Sequence, residues 1–570
     1  MHFIYKDLPK DVLFSRLLKL ATQKKDEIIV DDHSQDAQFS YRQIIQGTSN
    51  LLQKLQVLGG STLKEPGKVY IAVLAPNGYE FIIAVLAVLA YGGVVTKATG
   101  ALPEEAAYML QQCDARFLLV SPKQTDLGVR IQNHFTIPTF TIDSQARDED
   151  LLPITAYTLN DSMVVAEDCP SIVFFTSGTT GPPKGVLHAR RTINKYARMA
   201  EAGLNDELCL IPSGAFWSVY FTKVFQMLLT GVRIEIHNFG RNYNLIWEKL
   251  REKNITKTVL SPTFWYGMMH HFEEHLKKLP KSEMEEYING VQYIRDACAT
   301  GAMPSTKLKE FWKDLRDGKP LKVLYGSTET QEISICEGQM DTTQDDLGAP
   351  VTGVTVKLDG DQGELLVKTP SLFLGYVPLD QAWDNRMNST SLSARYLNAP
   401  EATAERFDGE GYFKTGDLVS RHNEKLIFQG RANMDFPRPR VEASLTALDY
   451  IQEGYILPVS DPHCDTRVAA LVRVRDGVEK VEKVDLERIR MDLSKDLPAY
   501  QLPTVLRHIG PHEAVPRTWS DKLAMRKVVQ QFFPQDSNDR LYGDALEVMD
   551  ISNFMRNKTA KLWDLSGMRQ

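Results

Sequence analysis

Apolar and polar positions alternate in two periods along the first 430 residues or so. Ser40-Tyr41-Arg42-Gln43 has the form of a capping box, and Ile44, Ile45, Leu51, Leu52 and Leu55 follow it as the apolar stripe of a helix. The continuous apolar run at 69–75 predicts a buried strand. Helix 81–91, strand 93–95, helix 103–113 and strand 117–120 are predicted next. The longest apolar run, at 81–95, is short for a membrane span and contains Gly92-Gly93, so it reads as a buried helix running into a buried strand. Similar units return as strand 171–175, helix 191–202, helix 215–229, strand 232–236 and strand 321–325. Continuous apolar strands between helices point to parallel sheets covered on both faces, an α/β fold. Residues 377–395 are polar and turn-rich, which predicts a surface insertion. Beyond Pro437-Arg438-Pro439-Arg440 a smaller mixed pattern begins, with a strand at 468–474.

Composition narrows the class without naming a chemistry. The 570 residues exceed what one core supports, so more than one domain is expected. Hydrophobic residues at 43% and charged residues at 24% exclude a disordered or membrane chain. Lys and Arg number 66 against 73 Asp and Glu, a net charge of −7, which argues against nucleic acid or anionic lipid as a non-specific partner. Six cysteines, Cys113, Cys169, Cys209, Cys298, Cys336 and Cys464, lack metal-type spacing and read as free thiols of a reducing compartment. The first residues lack a signal-peptide pattern and the last, GMRQ, are not a peroxisomal SKL-type ending, so a cytoplasmic location is expected.

The strongest local signal is Thr176-Ser177-Gly178-Thr179-Thr180-Gly181-Pro182-Pro183-Lys184-Gly185, directly after the apolar strand SIVFF. Glycines let backbone N–H groups approach an anion, hydroxyls add donors, and Lys184 adds positive charge. That chemistry suits a polyphosphate. The order is not a Walker A loop, because Pro183 precedes Lys184 and Gly185 follows it.

This segment resembles the phosphate-loop signature of the adenylate-forming superfamily, which contains acyl- and aryl-CoA synthetases, luciferases and peptide-synthetase adenylation domains. The resemblance continues in order through Ala299-Thr300-Gly301-Ala302-Met303-Pro304, Tyr325-Gly326-Ser327-Thr328-Glu329-Thr330, Gly363-Glu364-Leu365 with Gly375-Tyr376, Tyr412-Phe413-Lys414-Thr415-Gly416-Asp417, Gly430-Arg431, and Pro516-Arg517-Thr518 followed by Lys522. It implies a large N-terminal domain at 1–430, built of parallel-sheet α/β subdomains and a β-barrel-like subdomain. It also implies a small mobile α+β domain at 431–570 with a C-terminal extension.

The resemblance further implies the roles. Thr176, Ser177, Gly178, Thr179, Thr180, Gly181 and Lys184 would wrap the β- and γ-phosphates of ATP. Glu329 would hold Mg²⁺, with Thr328 on a phosphate oxygen. Tyr325 would stack on adenine, flanked by Gly301, Ala302 and Gly326. Asp417 would accept from the ribose hydroxyls with Arg431 nearby, and Lys522 would bridge the substrate carboxylate and the α-phosphate. Taken singly, Asp417 reads as a turn acid, Glu329 as a helix-start acid and Lys522 as a solvated lysine; the ordered set changes that reading.

Phe216, Trp217, Val219, Thr300, Gly301, Ala302 and Leu324 would line the acyl pocket, although core packing accounts equally well for Phe216 and Trp217. Leu324 stands where malonate-type relatives often carry Arg, which favours a hydrophobic monocarboxylic acid. The implied activity joins a carboxylic acid to AMP and then to coenzyme A. Two departures keep other outcomes open. Residues 430–442 are shorter than the family's hinge and lack its K-x-x-G part, and Asp521 replaces the Gly that usually precedes the catalytic lysine. An enzyme that stops at the adenylate or passes the acyl group to a carrier protein, and a non-catalytic nucleotide-binding relative, remain as alternatives. The 551–568 stretch is open to a docking helix, and no role follows for the tail beyond 530.

Overall fold

The structure, a computed structural model, describes residues 6–33, 35–60, 66–98, 103–142, 151–176, 184–199, 206–212, 218–240, 242–338, 345–358, 360–376, 405–431, 438–461, 465–475, 477, 483–497, 501–517, 523–535, 541, 543 and 545–549. Two large sheets organise the first 431 residues. The seven-stranded sheet runs in the order Gly375–Tyr376, Lys184–Ala189, Pro170–Thr176, Val94–Lys97, Tyr70–Leu74, Phe117–Val120, Thr139–Thr141. Its strands are parallel from Pro170–Thr176 onward and antiparallel at the other end. The thirteen-stranded sheet has a parallel middle, from Ile28–Asp32 through Arg233–Ile236, Leu208–Ile211, Lys257–Leu260 and Asp296–Thr300 to Lys322–Ser327. From Lys322–Ser327 the ladder continues antiparallel to Thr355–Lys357. The antiparallel strands expected in a barrel-like subdomain thus form one wing of this ladder.

A single core draws side chains from both sheets, including Val30, Cys209, Ile234, Val73, Val95 and Phe174, around the helices between them. Helix Tyr79–Tyr91 is buried at every position, which explains why its sequence is apolar all round. Gly92 ends it in the left-handed region at φ 85°, with its N–H closing on Leu89 and Val88 carbonyls. Helix Tyr41–Gly59 begins with the capping box read from the sequence: Ser40 N–H donates to Gln43 Oε1 at 2.7 Å, and Gln43 N–H to Ser40 Oγ at 3.4 Å. A second core with Trp247, Trp265 and Trp312 covers the far face of the long sheet.

Residues 438–549 build a separate four-stranded sheet, ordered Ile451–Asp461, Asp465–Val474, Val505–His508, Leu546–Val548, with an apolar cluster on each face. It rests on the large unit through polar contacts. Arg475 Nη2 donates to His270 Nδ1 at 2.6 Å, and Lys307 Nζ donates to the Ala447 carbonyl at 3.1 Å and pairs with Asp449.

Several boundaries differ from expectation. The helix expected over 191–202 is Arg191–Ala197, because Arg198 and Met199 N–H groups close back three residues on Lys195 and Tyr196 and tighten the end. The helix expected over 215–229 is described as Ser218–Thr230, and its expected first residues, 215–217, lie outside the described residues. Part of the tail beyond 530 is structural: Leu546–Val548 pairs antiparallel with Val505–His508, Met549 N–H donates to the Thr504 carbonyl, and Glu547 accepts from Leu486 N–H at 2.8 Å. The insertion at 377–395 and the stretch 551–568 lie outside the described residues. Cys113, Cys209, Cys298 and Cys336 are buried free thiols and Cys169 is half-buried and free. Among the described residues, no helix is long and apolar enough to cross a membrane.

Candidate active site

Two sequence-distant motifs meet by strand register. Strand Phe413–His422 turns back at Asn423, which has φ 55°, into strand Lys425–Arg431, and this hairpin sets Asp417 directly opposite Arg431. Arg431 Nε lies 2.8 Å from Asp417 Oδ1, and Tyr325 Oη donates to Asp417 Oδ2 at 2.6 Å. Tyr325 reaches across from Lys322–Ser327, so three strands converge on one carboxylate. Asp417 is buried, and that burial pushes its carboxyl pKa up against the opposing pull of Arg431. Burial also raises the Tyr325 phenol, which therefore stays a donor. Each carboxylate oxygen has a second lone pair, so Asp417 can still accept from a ribose diol. The hydroxyl link from Tyr325 is new: the sequence pointed only to its ring.

Thr328 and Glu329 sit at the tip between strands Lys322–Ser327 and Gln331–Cys336. Ser327 N–H donates to Thr330 Oγ1 at 3.1 Å and Thr330 N–H to Ser327 Oγ at 3.3 Å, which closes the turn on itself. Gly326 is required here, because a Cβ would overlap the Gln331 carbonyl. His188, on strand Lys184–Ala189 of the other sheet, lies 2.8 Å from the Thr328 carbonyl through Nε2. A carbonyl only accepts, so Nε2 carries the proton. His188 is fully buried, and desolvation lowers its pKa to about 4, leaving a neutral imidazole. Glu329 is held from the same side: Phe373 N–H donates to its carbonyl at 2.9 Å and Tyr376 Oη to its Oε1 at 3.0 Å. Tyr376 belongs to the edge strand beside Lys184–Ala189, and Lys184 Nζ stands 5.9 Å from its ring centre. Thr176, Lys184, Thr328, Glu329 and Tyr376 thus gather where the two sheets meet, with Thr176 Oγ1 donating to the Lys184 carbonyl at 3.3 Å.

Among the residues expected to line the acyl pocket, Thr300 and Leu324 are opposite one another in parallel register, and Thr300 Oγ1 donates to the Leu324 carbonyl at 2.9 Å. Gly301 follows at φ 88°, a left-handed position that turns the chain out of the strand, and Gly301 and Ala302 are exposed. Val219 is half-buried at the start of helix Ser218–Thr230. Ser177, Gly178, Thr179, Thr180, Gly181, Phe216, Trp217, Asp521 and Lys522 lie outside the described residues, as do 432–437 of the short hinge.

Sequence reasoning passed over His188 and gave Tyr376 no role. A histidine inside the apolar strand Val-Leu-His-Ala was the available signal for the first, since a buried strand tolerates a polar ring only with a partner.

Comparison with known proteins agrees with this arrangement. A relative named acyl-CoA ligase oryP, from Aspergillus oryzae, is 42% identical over 564 residues, spanning 97% of this chain and 98% of its own. The amide bond synthetase McbA from Marinactinospora thermotolerans has a similar fold, with TM-score 0.69 at 20% identity over 91% of this chain and all of that one. So does o-succinylbenzoate CoA synthetase from Bacillus subtilis, in complex with its acyl-adenylate intermediate, with TM-score 0.66 at 18% identity over 90% and 97%. The profile of the AMP-binding enzyme family matches residues 18–377, a span that takes in the phosphate-loop strand, the Thr328–Glu329 turn and Tyr376. On that span and on the near full-length relative, this chain belongs to the AMP-binding enzyme family.

Proposed function

We propose that the protein is an ATP-dependent acyl-CoA ligase. A carboxylate oxygen of the acid attacks the α-phosphorus of ATP, the bond to pyrophosphate breaks, and acyl-AMP forms. The thiol sulfur of coenzyme A then attacks the acyl carbon, the bond to AMP breaks, and the thiol proton is released. The observation that carries this reading is the convergence of Tyr325, Asp417 and Arg431 on one side of the Thr328–Glu329 turn, with Lys184 and Tyr376 on the other.

Both reactants of the first step are anions, so the site must supply fixed donors and positive charge. Lys184 and the loop 176–181 serve the phosphates, Asp417 the ribose and Tyr325 the base. Lys522 serves the reacting carboxylate and α-phosphate. His188, neutral and hydrogen-bonded to the Thr328 carbonyl, positions the turn without adding charge. Glu329 has no second partner among the described residues for its other carboxylate oxygen, which fits a Mg²⁺ held by one carboxylate, phosphate oxygens and water. Bound there, Mg²⁺ would neutralise phosphate charge. The working units are 1–430 and 431–570. A second reading, transfer to a carrier protein or a halt at acyl-AMP, is favoured by the sequence at 430–442, which is shorter than the family's hinge and lacks its K-x-x-G part.

The test is purified protein with ATP, Mg²⁺ and a panel of carboxylic acids, with pyrophosphate followed with and without coenzyme A. The expected result is acid-dependent pyrophosphate and a CoA thioester. Acid-dependent pyrophosphate without thioester selects the second reading, and no pyrophosphate with any acid overturns both.

A further inference from the structure

Lys97 is the last residue of strand Val94–Lys97. The neighbouring parallel strand sets Val95 opposite Ile172 and Thr96 opposite Val173, so Lys97 falls beside Phe174, one pleat before Thr176 and the start of the phosphate loop. Alternation along the strand sends Val95 and Lys97 into the core between the two sheets, whereas Val94 joins the cluster on the opposite face and Thr96 meets Cys113 there. The residue is half-buried, and desolvation holds its pKa well below the usual lysine value. Nζ lies 4.4 Å from the centre of the Phe81 ring. Among the described residues it has no carboxylate and no hydrogen-bond acceptor.

The surroundings lead to the reacting centre. Phe81 meets Phe221 edge-to-face at 5.7 Å, Phe221 meets Phe174 at 5.1 Å, and Phe174 meets His188 at 5.4 Å. His188 bonds to Thr328. Phe221 belongs to helix Ser218–Thr230, which also contains Val219. A row of aromatic contacts therefore joins the Lys97 ammonium at one end to the adenylation residues at the other. A cation over a phenyl ring recovers only part of the hydration that an ammonium gives up on burial. An anion delivered along this row would supply the missing partner. No cation precedes Tyr325, because Leu324 stands there.

We propose that Lys97 receives a second acidic group, carried on an apolar spacer by the same acid whose other carboxylate is activated. This rests on the adenylation reading above. It replaces the sequence expectation of a plain hydrophobic monocarboxylic acid with that of a long dicarboxylic one.

The experiment compares straight-chain monocarboxylates from butanoate to dodecanoate with α,ω-dicarboxylates of the same lengths, using pyrophosphate release by the full chain. At one or more lengths the wild type should favour the dicarboxylate in kcat/KM by tenfold or more. Lys97→Met should lower that dicarboxylate-to-monocarboxylate ratio by tenfold or more, and Lys97→Arg should retain part of it. The ratio is taken within each preparation, so partial misfolding cancels. In parallel, the favoured dicarboxylate alone should raise the melting temperature of the wild type and not of Lys97→Met. The proposal is overturned by a ratio that Lys97→Met leaves unchanged, by no dicarboxylate preference at any length, or by a raised KM for ATP in place of the altered ratio. Dicarboxylate stabilisation lost in Lys97→Met, with no pyrophosphate from any acid, would retain the Lys97 site and remove the ligase reading.

Discussion

At the proposed nucleotide end of the site, Asp417 is already bonded to Tyr325 and Arg431, and Glu329 to Tyr376; at the proposed acyl end, Lys97 faces a row of phenylalanines and hydrogen-bonds to none of the described residues. The first region is polar and bonded within two groups, so much of its geometry exists before any ligand arrives. The second is apolar, with one charge left to be matched. A nucleotide is common to every turnover and rewards a preformed site, because ordering costs are met at folding. The acid distinguishes one ligase from another, and selectivity comes from a group that is costly to leave unpaired.

The largest effect is expected from breaking the preformed end. Asp417→Ala removes the proposed ribose acceptor, the shared partner of Tyr325 and Arg431, and should lower kcat/KM for ATP on the order of 10²–10³-fold in a pyrophosphate-exchange assay. A loss under threefold would mean that the carboxylate is only structural. Next comes His188. Its pKa is about 4 in the fold against 6.5 as the ordinary value, so the unfolded chain binds more protons between these limits. The stability this neutral histidine contributes is full above pH 6.5 and is lost as pH falls toward 4, by about 3 kcal/mol. Unfolding at pH 7, 5 and 4 should show a steeper acid loss in the wild type than in His188→Gln; parallel curves would contradict its buried neutral state.

A smaller change is expected from Tyr376→Phe, which leaves Glu329 in place but unoriented. The Mg²⁺ concentration for half-maximal rate should rise about tenfold, an effect typical of losing a ligand's own hydrogen bond. The smallest concerns stability at the acyl end. Lys97→Met removes a half-buried charge and should stabilise the fold by about 1 kcal/mol at pH 7. Lys97 has a lowered pKa in the fold, so wild-type stability gains as pH rises toward the ordinary lysine value, and the gap between the two melting temperatures should narrow by pH 9.5. A gap independent of pH would show that the ammonium is solvated and would erase the contrast between the two ends.

The sequence made the elements readable wherever an apolar run was continuous, as in helix Tyr79–Tyr91 and strand Phe117–Val120. It located the Thr-Gly-Asp and Gly-Arg motifs but not their pairing, because register is a property of the hairpin and not of either motif. His188 and Lys97 were passed over because each sits in or at the end of an apolar run, where pattern reading assigns packing. Strand Leu546–Val548 is three residues long and owes its existence to an open sheet edge, which local sequence cannot signal. Helix Arg191–Ala197 stops short of its apolar pattern through local backbone closures.

The turn at Asn423 has a consequence for anyone who engineers this protein. It is a ruler: the distance from Asp417 to Arg431 is counted in residues through that tip. One residue inserted there slips the register by one and turns Arg431 to the opposite face of the ribbon, separating acid from guanidinium although both remain in the chain. Two inserted residues restore the facing. Tolerance to insertion at this loop should therefore alternate between odd and even lengths, a pattern that a deep scan of insertion libraries could read directly.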